Sequence, residues 1–268
     1  MDWSKAKTIL LITFLILNIF LFVMIMFTGS NQLLKNDYTR YAKDYLASRN
    51  IEIKADIPRV SRYTGKVLYS TKKYNVQGLS RLVFGKEASV SESESAINIV
   101  VGDEMLNLTE DELYIKDRLT DRETWSGDLK IFEDKLINYL KNLEFNKSDL
   151  YLEEATESEN AKNIVFTVKY KKVHVFDQQI TAQLDKDGFL TISAPAKEIR
   201  KENGTGEVLS AYQVLVMGGL APGSKVVNID IGYRRISEGD LYGIPVWRIM
   251  SDDGVTVLYN GFTGERLD

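Results

Sequence analysis

The chain has 268 residues, of which 44% are hydrophobic and 27% charged, with four prolines and no cysteine. This is enough apolar material for a packed core, and the absent cysteine excludes a disulfide framework, a thiolate metal site, a cysteine nucleophile and a lipoprotein anchor. The formal net charge of −4 becomes one unit more negative once Asp2, Lys5 and Lys7 are set aside, so no basic footprint for nucleic acid remains.

No charged residue occurs from Thr8 to Thr28, and this stretch covers the roughly 30 Å hydrocarbon layer at about 1.5 Å per residue. A transmembrane helix is therefore expected at 8–28. Lys5 and Lys7 precede it and the first cation after it is Lys35, which places residues 1–7 in the cytoplasm and the rest outside the cell membrane. A cleaved signal peptide would carry a shorter apolar core and a small-residue cleavage site, which Thr28-Gly29-Ser30 does not supply. Asn18 lies at mid-membrane depth, where its amide is satisfied either by a partner helix or by its own backbone. Thr13 is a weaker mark, because its hydroxyl bonds readily to the carbonyl one turn earlier. These two are the candidate partner contacts in the membrane.

Residues 29–125 are expected to form an N-terminal extracellular α+β region. Leu34, Tyr38, Tyr41 and Tyr45 recur at spacings of 4, 3 and 4, the pattern of a helix packing its aromatic stripe on a core. Short β-prone runs follow at Val67–Tyr69, Leu79–Phe84 and Ile97–Val101. The acidic, serine-rich Lys86–Ser95 is an expected exposed loop and lacks the spacing of a calcium loop.

Residues 126–268 carry an ordered repeat. From Asp128 to Leu143, the residues Leu129, Phe132, Leu136, Leu140 and Leu143 trace one helical face. Ile164, Phe166, Val168 and Tyr170 then alternate as in a half-buried strand, and two further strands flank Asp185-Lys186-Asp187-Gly188. The second copy opens with a helix expected at 206–217, places Ile229, Ile231 and Tyr233 opposite Phe166, Val168 and Tyr170, and turns at Ser251-Asp252-Asp253-Gly254. From the aligned tyrosine to the turn glycine is 18 residues in one copy and 21 in the other. The expected class is α+β: one N-terminal transmembrane helix, then an extracellular domain of helix plus antiparallel sheet units at 126–200 and 205–268.

No catalytic, cofactor or metal site is expected. His174 is the only histidine and its apolar neighbours suit a structural strand end. Glu153-Glu154 point to opposite faces of a strand, and Asp252-Asp253 sit in a turn facing water. No phosphate-binding loop, nucleophile elbow or zinc-protease run occurs. What remains is a protein that works by contact.

The opening Met1-Asp2-Trp3-Ser4-Lys5, followed by the apolar helix with Asn18, resembles the YycI (WalI) family of Gram-positive bacteria. The stretch from Ala211-Tyr212 through Ile244-Pro245-Val246-Trp247 to Phe262-Thr263-Gly264-Glu265 is similar to PepSY-type domains. The first resemblance implies a non-enzymatic regulator of the sensor histidine kinase WalK (YycG) in the WalK/WalR system, acting with YycH on control of the cell wall. It carries no active-site residues and leaves the sign of regulation open. The second implies an alternative, an extracellular module that binds or inhibits a peptide or protease; an anchored wall hydrolase is a third and more distant reading.

Overall fold

The computed structural model describes residues 3–28, 32–58, 63–85, 91–92, 96–120, 125, 127–237 and 239–267. The fold is α+β, and the described strands are hydrogen-bonded into one mostly antiparallel network served by two main cores.

The first core forms under helix α4 (Leu129–Asn142). Asp128 caps it by accepting from the Ile131 amide at 2.9 Å, which satisfies one of the four orphan donors of a helix start. Phe132, Leu136, Leu140 and Leu143 are fully buried, as their spacing predicts. They pack on the meander of β7 (Leu150–Glu157), β8 (Ala161–Tyr170), β9 (Val173–Asp185) and β10 (Phe189–Pro195). The sheet continues from β10 through β6 (Glu112–Arg118) and β5 (Glu104–Leu108) to β4 (Ile97–Val101). Lys86–Ser95 lies largely outside the described residues, apart from a two-residue strand, β3 (Ser91–Glu92), paired with β4.

One expected strand is a helix. Val76–Phe84 forms α3, because Asn75 caps the Gly78 amide, Gly85 ends the turn at φ 66°, and Leu79 and Val83, four apart, both enter the first core. The apolar run is too short for its period to separate strand from helix.

The second core gathers α2 (Gln32–Ser48), α5 (Ala211–Met217) and the meander of β12 (Lys225–Arg235), β13 (Tyr242–Ser251), β14 (Thr256–Asn260) and β15 (Arg266–Leu267), with β1 (Glu52–Ile53) pairing parallel to β12. Helix α5 starts at Ala211, later than the expected 206, because β11 (Lys197–Glu207) claims the preceding residues by pairing with β2 (Tyr63–Thr71). Ser210 and Gln213 then form a complete capping box. A Cβ on Gly218 would meet the Tyr259 ring at 2.5 Å, so only glycine lets that ring close under the helix and donate to the Gly218 carbonyl at 3.0 Å. On α2 the buried residues are Ala42 and Leu46, whereas Tyr41 is 61% exposed. Of the tyrosine stripe, Tyr45 packs in part on the second core while Tyr41 stands beside it, and the Leu34 side chain lies outside the described residues.

Residues 29–125 thus contribute to both cores. The order helix, strands, turn, strand occurs at 129–195 and again at 211–260, and on it rests our proposal that 126–200 and 205–268 are duplicate units. Tyr170 and Tyr233 pack around one small cluster with Val67, Tyr69 and Val175. The turn between β8 and β9 is the two residues Lys171-Lys172, both at positive φ, while β12 and β13 are joined by the longer 236–241 loop. That longer loop and the two residues by which β12 outruns Tyr233 are partly offset by the shorter β13, which leaves the second copy three residues longer.

Strand β9 joins the halves. Its first residues lie between β8 and β12, with Gly232 opposite His174 and Tyr233 opposite Val175 in parallel register. Its later residues lie between β8 and β10. Between Thr167↔Gln179 and Lys169↔His174 the register slips, so residues 175–178 bulge from the β8 ladder.

Leu136→Ala and Leu140→Ala should each cost about 2–5 kcal/mol, the range for emptying a buried leucine site. Denaturant melts of the folded region after α1 measure this, and unchanged midpoints in both variants would contradict the burial of this face.

Candidate functional site

Two places qualify as sites of contact: the membrane helix and the seam where the halves meet.

Helix α1 (Trp3–Thr28) is continuous for 26 residues and contains one candidate span, Ala6–Met24. The Asn18 amide donates to the Phe14 carbonyl at 2.9 Å, and the Thr13 hydroxyl donates to the Ile9 carbonyl at 2.9 Å. Each is satisfied by the turn preceding it, so a partner helix would have to exchange with that bond. Five residues separate the two positions, which puts them about 140° apart around the helix. One flat contact therefore includes Asn18 or Thr13, not both.

At the seam the bulge in β9 turns Phe176, Asp177 and Gln178 toward the other half. Asp177 accepts from the Tyr69 hydroxyl at 2.8 Å and from Arg235 Nε at 2.8 Å, and Arg235 also reaches Asp111 at 3.2 Å. The Arg235 guanidinium lies 5.0 Å from the centre of the Tyr69 ring. Burial first, and then the Asp177 carboxylate, push the Tyr69 phenol far above its ordinary range. Gln178 donates to the Lys197 carbonyl at 2.9 Å, which ties β9 to the start of β11.

Beside this lies a second cluster. Arg248 on β13 holds Asp230 on β12 with both faces of its fork, Nε to Oδ1 at 3.0 Å and NH2 to Oδ2 at 2.6 Å, and reaches Glu153 on β7 at 2.9 Å. Glu153 also accepts from the fully buried Thr167 at 2.9 Å. The guanidinium stands 4.6 Å over the Phe176 ring. His174 stacks on Tyr151 with ring centres 4.5 Å apart, and its Nδ1 lies 3.6 Å from Asp230, beyond hydrogen-bond reach. A Cβ on Gly232 would strike the His174 carbonyl and the Phe176 ring at 2.6 Å, so glycine permits β12 to approach β9 this closely. Burial alone would raise the Asp230 carboxyl, but His174 and Arg248 hold it below its ordinary value.

Chemically this is a clamp. Both Asp230 oxygens are engaged by a guanidinium, which removes the carboxylate as a base, and His174 faces aromatic rings and not a cleft. A separate cleft of ≈ 530 Å³ beside α4 contains Asp117, whose carboxylate already accepts from the Tyr139 hydroxyl at 2.8 Å. Among the described residues no three His, Asp or Glu side chains converge on a metal-sized site. Sequence reasoning placed His174 at a strand end, set Glu153 aside as an acid–base candidate without seeing its partner, and missed Asp177, Asp230, Arg235 and Arg248. The signal was legible: Asp230 and Arg248 interrupt two strongly apolar strands, where a charge is tolerated only if it is paired.

Comparison with known proteins gives a family and a fold. The sequence model described as YycI protein matches residues 30–260. No curated protein matches the chain. An uncharacterized protein from Eubacterium rectale of solved structure superposes with a TM-score of 0.52 at 13% identity, covering 82% of this chain and 91% of that one. The C-terminal domain of YpeB from Bacillus megaterium gives a TM-score of 0.47 at 12% identity, covering 74% of this chain and 97% of that domain.

Asp230→Asn should cost about 1–3 kcal/mol at neutral pH, the usual penalty for stranding a charged hydrogen-bond partner. The folded carboxyl titrates below its ordinary 3.8, so its contribution is present above that value and is lost as pH falls through the folded one. Melting curves of wild type and variant should therefore converge as pH falls below about 3.8. A gap independent of pH would mean that the charge of Asp230 does not hold the seam.

Proposed function

Because the chain belongs to the YycI family, a family of accessory regulators of the WalK two-component system, we propose that it biases the sensor kinase WalK by direct contact, together with YycH. The family match carries this reading, and the apolar helix at the N-terminus supports it. Contact is made by α1 within the membrane and by the ectodomain outside it, with residues 1–7 in the cytoplasm. No reaction is required. A regulator of this kind shifts a kinase equilibrium only through a difference in affinity for its two conformations, and about 1.4 kcal/mol of difference changes their ratio tenfold.

Asn18 is the membrane residue on which this reading bets, with Thr13 on another face as the lesser one. The Asn18 amide gives up its bond to Phe14 and gains a partner across the helix interface, for roughly 0.6–2 kcal/mol. Exchange of this kind keeps the amide satisfied both before and after assembly.

Asn18→Leu should insert normally, since leucine suits the helix centre better than asparagine. Less WalK should then co-purify with the variant, and expression of the kinase's target genes should shift. A second chain in which the ectodomain hangs from an unrelated transmembrane helix should show the same loss. If both behave as wild type, α1 is only a tether and the regulatory surface lies on the ectodomain.

A further inference from the structure

Helix α2 carries three tyrosines in a row on one face. Ring centres of Tyr38 and Tyr41 are 6.5 Å apart, and those of Tyr41 and Tyr45 are 6.4 Å apart and nearly parallel. Tyr41 is 61% exposed. Counting 100° per residue, the ladder is centred about a quarter turn from the Ala42–Leu46 face that grips the second core. Tyr45 packs in part on the second core, whereas Tyr41 is turned away from it, and Arg40 stands exposed on the outward polar side.

The sequence fixes where this ladder can be. Only Gly29, Ser30 and Asn31 separate α1 from α2, and four Cα steps reach at most about 14 Å. If α1 spans the bilayer, α2 starts in or beside the outer headgroup layer, itself roughly 5–7 Å thick. Along the helix, Tyr38, Tyr41 and Tyr45 lie only about 9, 14 and 20 Å beyond Gln32. Phenol rings have an apolar body and a polar tip, and tyrosine concentrates at membrane–water interfaces for that reason. A helix lying along the surface turns its aromatic side into the boundary between headgroups and acyl chains.

We propose that α2 lies on the outer membrane surface with Tyr38 and Tyr41 inserted among the lipid headgroups and Tyr45 bridging from them to the second core, so that the same helix binds the membrane with one face and the second core with the next. The proposal rests on α1 spanning the bilayer. The lipid contact is uncharged in character, since the ladder holds phenols and the neighbouring Lys43 ammonium is turned toward the Tyr212 ring, 5.8 Å from its centre.

The chain has no cysteine, so single-cysteine variants of the full-length protein can each carry one nitroxide label. In nanodiscs of phosphatidylethanolamine and phosphatidylglycerol, relaxation by oxygen reports lipid and relaxation by a water-soluble nickel chelate reports solvent. Leu15→Cys serves as the lipid reference and Val100→Cys, exposed on β4, as the aqueous one. The label at Tyr41→Cys should be several-fold less accessible to nickel than that at Val100→Cys, while the adjacent Arg40→Cys label should match Val100→Cys. Melting temperatures equal to wild type confirm that the labelled chains are folded. Tyr41→Cys as open to nickel as Val100→Cys overturns the proposal, and so does shielding from both reagents, which means that protein covers the ladder. An aqueous signal at Leu15→Cys overturns the spanning reading itself, and this one with it.

Discussion

Four residues of β9, Val175 to Gln178, leave the β8 ladder at the point where the two halves of the sheet meet; Val175 still pairs with Tyr233 of β12, and the polar groups of Phe176 to Gln178 must be satisfied without a regular neighbour. The rest of the architecture follows from how this is done. Asp177 recruits Tyr69 from β2 and Arg235 from β12, Gln178 takes the Lys197 carbonyl, and Phe176 becomes the floor under Arg248. Each partner comes from a strand that runs on into the second half. The irregularity in one strand thereby fixes the orientation of four others, β2, β11, β12 and β13.

Such a joint is polar for a physical reason. An apolar joint would hold the halves together in many registers, whereas Arg248 engaging Asp230 with two nitrogens and Glu153 with a third accepts only one. Desolvating the guanidinium and carboxylates offsets much of their attraction, so the cluster contributes specificity more than raw stability. The buried Lys72 plays a similar part nearby. Its ammonium donates to the Leu143 carbonyl at the end of α4 and lies 3.8 Å from the centre of the Phe145 ring, and burial lowers its pKa to about 8.

Periodicity made much of this legible. The α4 stripe, the alternation of β8 and β12 and the turns at Gly188 and Gly254 are written in local patterns, and both glycines take the positive φ that tight turns need. The apolar span was legible from length and charge alone. Two kinds of feature were not. Leu79–Phe84 is too short for its period to be distinguished, and β11 is a charged edge strand that exists only because β2 lies beside it. The seam itself joins Glu153 to Arg248 across 95 positions of sequence, and no window on one chain reports such a pairing. What the sequence does display is the cost: a charge set into an apolar strand announces a partner without naming it.

The position of β9 bears on how the folded region comes apart. A strand that is interior to both half-sheets has no free edge along which to fray, and the foldons of a protein are bounded by the surfaces that can open independently. Here His174 and Val175 of β9 cannot leave β12 without uncovering the small cluster around Val175, and the later residues cannot leave β10 without uncovering the first core. Two cores are thus bound into one cooperative unit. A pull delivered through α2 to the second core therefore reaches the first through β9, the strand that both half-sheets share.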